Sequence, residues 1–319
     1  MTKRISPFTD FGFKYIFGQE ENKDLLIDFL NTLFSEEPEY EEITDVTFLD
    51  KELPKSPESQ RGVIYDIKCK TSGGRHFIVE MQNAQQSYFV DRSIYYASRS
   101  IVSQAQSGKE WCYEFQPVYV VSFLNFKMPE LGTGVRTDVA LCDLDTNKPV
   151  SDKLRFIYIQ LPYFNKKEEE CKGIFDYWIY NIKNMETMNN IAFAQQHKIF
   201  KRLESVTNYA NLDKQQRLAY DEDLKIYRDF QNCMDYKLQE GRRIGIEEGM
   251  QQGMQQGMQQ GMQQGMQQGM QQGMQQGIEE ERKNSIRMMS SFGIRPQDIA
   301  DKYKMSLDEV NSIIDGCAR

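Results

Sequence analysis

The chain has 319 residues and a mass of 37.4 kDa, with 39% hydrophobic and 12% aromatic residues, enough to bury at least one full core beside appended segments. Its formal net charge of −8 means that any polyanion must be met by a local basic patch or through bridging metal ions, because the field of the whole molecule repels it. Six cysteines without C-x-x-C spacing argue against a zinc knuckle or a disulfide framework, and two histidines, His76 and His197, leave little room for a multi-histidine metal site or a Ser-His-Asp triad. Chemistry in this chain therefore rests on carboxylates.

The opening stretch MTKRISPFTDFGFK lacks the apolar region of a signal peptide, and no apolar run approaches the ~18 residues of a membrane span. The expectation is a cytoplasmic protein with reduced thiols and no membrane partner. In "NKDLLIDFLNTLF", Leu25, Leu26, Phe29, Leu30 and Leu33 recur at helical spacing, and an acidic, proline-containing loop comes next. "ITDVTFLDKEL", "GVIYDIKCK" and "RHFIVEMQ" then alternate as strands do, the last two joined through Gly73-Gly74. "QSYFVDRSIYYASRSIVSQAQ" predicts a helix with Phe89, Ile94, Ala97 and Ile101 inward and a polar, basic outer side carrying Arg92 and Arg99. "PVYVVSFLNF" and "LRFIYIQLPYF" read as buried strands, and the chain from Cys171 to Glu240 is helical almost throughout.

From Gly241 to Gly277 glycine recurs at every fourth residue, and Met250, Met254, Met258, Met262, Met266, Met270 and Met274 keep the same period. A period of four turns the methionine stripe by about 40° per repeat around a straight helix, and each glycine costs about 1 kcal/mol against alanine. Two readings stay open, a low-complexity linker and a self-associating helix that makes a homo-oligomer. Beyond it, short helices end near Gly293, start at Pro296, and are capped by Ser306 with Glu309, a layout similar to a helix-turn-helix. The acidic "LDEVNSIID" lacks a base-reading face, so a protein-interaction or dimer cap is favoured over DNA reading.

With the turn at Gly73-Gly74, paired positions of the hairpin sum to about 146 or 147, and Asp66 falls opposite or diagonal to Glu80. Tyr65, Ile67, Cys69, Phe77, Val79 and Met81 share one face, expected to be core; Asp66, Lys68, Ile78, Glu80 and Gln82 share the other, expected to meet a cleft or water. Like charges across a strand pair are destabilising by a few tenths to ~1 kcal/mol unless solvent or a cation intervenes. The pair is thus either part of an exposed polar face or a Mg²⁺ site, where two carboxylates, waters and a phosphate complete an oxygen shell. Gln82 can orient a water or hold a phosphate oxygen.

The order Asp66, a turn, then Glu80-x-Gln82 is similar to the PD-(D/E)XK nuclease core, and "PFTDFGFKYIFG", "VEMQ", "DRSIYYASR", "IQLPYF" and the Gly-rich repeats resemble the PD-(D/E)XK family transposases and recombination-promoting nucleases. The likeness spans nearly the whole chain. Tyr65 stands where the motif has proline, and Gln82 where it has lysine. The resemblance implies an α/β fold with a restriction-endonuclease-like mixed sheet flanked by helices and a helical C-terminal extension. It implies a core over 1–165, a helical extension packed on it over 166–240, the repeat over 241–280 and a small helical cap over 281–319. It also implies a Mg²⁺-dependent DNA endonuclease, with Asp10, Asp66, Glu80 and Gln82 in the catalytic site and Asp66 and Glu80 as metal ligands. Asp10 alternatively reads as an N-cap or turn residue. Lys14, Arg92 and Arg99 are the candidate DNA-backbone contacts, and Lys14 alternatively lies along the helix edge. The competing reading is a weak or inactive nuclease fold acting as a DNA-binding or oligomerising scaffold.

Overall fold

A computed structural model describes residues 3–37, 40–53, 62–106, 108 and 111–316; Cys317, expected as a reduced thiol, lies outside them. The chain divides into two compact units, residues 1–232 and 233–319.

In the first unit the elements run α1 (Asp10–Phe17), α2 (Lys23–Phe34), β1 (Val46–Phe48), β2 (Glu52–Leu53), β3 (Val63–Ile64), β4 (Ile67–Thr71), β5 (His76–Gln82), α3 (Phe89–Val102), β6 (Val118–Leu124), β7 (Arg136–Cys142), β8 (Pro149–Gln160), α4 (Ile174–Asn184) and α5 (Lys198–Val206), with α6 (Lys214–Ser291) beginning there. A six-stranded mixed sheet has the order β1-β4-β5-β6-β8-β7, and β2 and β3 form a separate pair. β5, β6 and β8 are parallel, while β1, β4 and β7 run antiparallel to their neighbours.

Both faces of the sheet are covered. Ile67, Phe77, Val79, Met81, Val121, Phe123, Ile157 and Ile159 pack against α1, α2, α4 and α5, where Phe17, Phe29, Trp178 and Phe200 form an aromatic cluster. Burial of each such ring contributes about 1.5–3 kcal/mol. On the opposite face Tyr65, Ile78, Val118, Val120, Leu124 and Tyr158 pack against α3. This corrects the expectation that the face carrying Lys68, Ile78 and Glu80 meets a cleft or water: all three are buried. The reason is the parallel crossover from β5 to β6, which lays α3 over that face. Tyr65 also changes sides relative to the expected alternation, because the chain bends at Asp66 between β3 and β4.

α3 is turned differently from its hydrophobic reading. Phe89, Ser93, Ala97 and Ser100 face inward, whereas Ile94 is exposed. Two serines and an alanine let the helix backbone approach the sheet closely; Ser93 donates to the Phe89 carbonyl at 3.0 Å, whereas the buried Ser100 hydroxyl has no hydrogen-bond partner among the described residues.

α6 is one continuous helix of 78 residues. From Gly241 to Gly277, among the described residues, no atom beyond the neighbouring residues and the helix's own backbone lies within 4 Å of a Cβ placed on any glycine, and the seven methionines of the repeat are 67–76% exposed. In the second unit the end of α6, α7 (Pro296–Tyr303) and α8 (Leu307–Asp315) enclose Ile286, Ile299, Ala300 and Val310. Ser306 caps α8 through the reciprocal box with Glu309.

Candidate active site

The β4–β5 register sets the site. Ile67 pairs with Val79 and Lys70 with His76, a constant sum of 146, which continues to Asp66 and Glu80 at the open end. The turn that holds this register requires Gly74, whose φ is +87° and whose missing Cβ would sit 2.9 Å from the Gln116 amide oxygen. Beyond the last ladder pair, the Asp66 backbone N–H donates to Glu80 Oε1 at 3.3 Å, and Asp66 Oδ2 accepts from the Met81 N–H at 2.9 Å. Each carboxylate is thus held by the other strand's backbone.

Glu80 is only 4% exposed. Its Oε2 accepts from Gln82 Nε2 at 3.1 Å and lies 3.7 Å from Arg92 Nη2. Burial, and then the charge of Asp66, push the Glu80 carboxyl up from the usual carboxylate range, against Arg92. Burial likewise raises Asp66; the Met81 N–H and Lys14 oppose this and Asp10 adds to it. Two carboxyls raised together cannot both ionise freely without a nearby cation.

Arg92 is therefore turned toward the site from the edge of the inward face of α3, and its guanidinium also lies over the Tyr96 ring at 4.9 Å. Arg99, about two turns on, is half-buried near the Tyr65 phenol, which burial and then the charge of Glu80 push up against the opposing charge of Arg99. Both were expected on the outer side of the helix; the close seating of α3 on small residues leaves them half-buried instead. Tyr65, where the motif has proline, is fully buried, donates its hydroxyl to the Tyr96 carbonyl at 3.0 Å and ties the bend at Asp66 to α3.

Asp10 stands at the start of α1. Thr9, not Asp10, is the N-cap, its Oγ1 accepting from the Gly12 N–H at 2.9 Å. Asp10 is 60% exposed and paired with Lys14 at 2.6 Å. It borders two adjoining hollows. One, of ≈ 340 Å³, is lined by Lys14, Lys51, Glu222 and Asp223 among others; the second, of ≈ 320 Å³, includes Gln82 and Asn83. Asn83 donates to the Phe8 carbonyl at 2.7 Å and so ties the segment before α1 to the end of β5. Gln82 reaches the hollow while Asp66 and Glu80 lie behind it.

Lys51 and Asp223 were not singled out by sequence. Asp223 Oδ2 accepts from the Phe11 N–H at 2.6 Å, and Lys51 is brought in by the β2–β3 pairing. Neither carries a local signal, since both depend on contacts between segments remote in sequence.

The model of the PD-(D/E)XK nuclease family transposases matches residues 7–237, most of the chain. The chain belongs to this family. No curated protein and no solved structure matches it. Membership carries the fold seen here, a mixed sheet flanked by helices with a helical C-terminal region, and a nuclease-type function. The helices among the described residues include none long and apolar enough to cross a membrane.

The donor set suits a hard divalent cation: two carboxylates from adjacent strands, each bonded to the other strand's backbone, with oxygen-only chemistry. Among the described residues no group of three or more Asp, Glu, His or Cys side chains converges as a metal cluster, so Asp10 does not join the pair as a third direct ligand in this arrangement. A cation held by two protein carboxylates keeps water and substrate oxygens in its remaining positions, as Mg²⁺ commonly does.

Proposed function

We propose that this protein is a Mg²⁺-dependent DNA endonuclease of the transposase-associated, recombination-promoting type. The single observation that carries the reading is the close approach of Asp66 and Glu80 behind the hollow that Gln82 reaches, two carboxyls that burial holds above their ordinary range, the charge of Asp66 adding to the rise of Glu80. Asp66 and Glu80 would hold the metal. A divalent cation there supplies charge stabilisation to a phosphodiester and lowers the pKa of an attacking water. Gln82 offers its amide to a phosphate oxygen or to that water, and its present bond to Glu80 Oε2 keeps it aligned along the strand. Arg92 offsets the charge of Glu80 from the α3 side and holds the carboxylate's direction. Asp10 and Lys14, paired at the edge of the hollow, act on Asp66 through space rather than by contact.

A second reading, a weak or inactive nuclease fold that binds DNA as a scaffold, is favoured by one observation: the motif lysine is replaced by Gln82, an uncharged group. Nicking of supercoiled plasmid separates the two. We expect cleavage that requires Mg²⁺ and disappears in Asp66→Ala and in Glu80→Ala, both still melting cooperatively. Undiminished cleavage by both variants would leave the nuclease assignment without support.

A further inference from the structure

Lys51 immediately precedes β2, and the Tyr65 N–H donates to its carbonyl at 3.0 Å, so the main chain places it beside the bend that carries Asp66. Its side chain is half-buried and lines the ≈ 340 Å³ hollow with Asp10, Lys14, Glu222 and Asp223. The hollow carries three carboxylates, Asp10, Glu222 and Asp223, against two ammonium groups, Lys14 and Lys51, and the pairing among them leaves Lys51 out. Lys14 is already paired with Asp10 at 2.6 Å, and Asp223 is engaged by the Phe11 N–H. Among the described residues Lys51 makes no ion pair; Asp10 and Asp66 act on it only at longer range. Burial, and next the neighbouring Lys14 charge, hold its amine below the usual lysine range, with Asp10 and Asp66 opposing. An ammonium that has lost part of its hydration and faces a second ammonium is in an unfavourable state, and a bound anion is the ligand class that relieves it. Gln82, at the edge of the adjoining hollow, brings hydrogen bonds but no charge.

We propose that Lys51 is the cation that meets a phosphate of the nucleic-acid backbone beside the Asp66–Glu80 pair, supplying the positive charge that Gln82 lacks. This inference rests on the nuclease reading for its catalytic part only; the phosphate contact itself does not require cleavage. It names a residue remote from the strand motif, delivered by the β2–β3 pair.

The test uses the full chain with Lys51→Met and Lys51→Arg, and binds a short labelled DNA duplex by fluorescence anisotropy in Ca²⁺ across a salt series. For Lys51→Met we expect the slope of log affinity against log salt to fall by about 0.9, the signature of one lost phosphate contact. In Mg²⁺, its cleavage rate should fall about 10²-fold, as for loss of one transition-state electrostatic partner, while Lys51→Arg keeps most of both properties. Melting of Lys51→Met at or above the wild-type temperature is the companion result, since the substitution removes a poorly paired charge. An unchanged salt slope in Lys51→Met overturns the proposal, whatever the cleavage result. If the wild type cleaves nothing with any divalent metal, the nuclease reading fails, and a reduced slope still supports the Lys51 contact. Should Lys51→Met melt well below the wild type, Lys51→Gln is judged by the same slope criterion.

Discussion

Asp66 and Glu80 illustrate how a sequence spacing acquires chemistry. The spacing alone fits an exposed polar face or a metal site; burial beneath α3 removes the solvent that would have screened the pair. Raised carboxyls fix the sign of the pH dependence. The native state holds a proton more tightly than the unfolded chain, so in the absence of metal the stability contributed by these groups is greatest near and below the ordinary carboxylate range, about 4, and is lost as pH rises toward their raised native values. In EDTA, we expect the melting temperature of the wild type to fall with rising pH relative to an Asp66→Asn, Glu80→Gln double variant. Mg²⁺ should raise the wild-type melting temperature at neutral pH and leave the double variant unmoved, by preferential binding to the native state. Parallel pH profiles for the two proteins, with or without metal, would contradict the electrostatic account of the pair.

At the scale of elements, the same substitution is expected to act in opposite directions in two helices. In α1, a Cβ at Gly12 would lie 2.0 Å from the Ser6 carbonyl oxygen, a backbone atom held in the loop that leads to Asp10. Gly12→Ala should therefore destabilise the first unit by about 1–3 kcal/mol, the usual penalty of overpacking, read as a lower midpoint in urea. In α6 the glycines of the repeat meet nothing, and Gly257→Ala should raise helicity at 222 nm, adding about 1 kcal/mol of local helix stability. A destabilised Gly257→Ala variant would mean that another chain approaches that face closely. The hairpin, β5 and β6 were legible because they alternate or run apolar between clear turn signals. β7 was not: its residues are half-exposed to exposed, and an edge strand with little to bury shows weak periodicity. The inward face of α3 was misread for a related reason, since Ser93 and Ser100 occupy positions that only the nearness of the sheet makes interior.

For the whole molecule, the apolar clusters on either face of the sheet are built within residues 1–232, and Ile286, Ile299, Ala300 and Val310 form a separate one within 233–319. Since among the described residues no apolar cluster of the first unit includes a residue of the second, a chain ending at Asn232 should unfold cooperatively at close to the wild-type temperature, checked by calorimetry; a noncooperative melt would show that the first unit depends on the second. Sequence by itself determined the hairpin and its turn, the nearness of Asp66 to Glu80, most of the strand and helix order of the core and the family resemblance, because periodicity, turn residues and short motifs are local properties of the chain; the structure decided between the two registers and added β7. Tertiary structure alone decided that α3 seals the second face, that Arg92 turns toward Glu80, and that Lys51 and Asp223 border the groove. Those outcomes depend on which remote segments pack together, and burial and charge proximity arise only once they do.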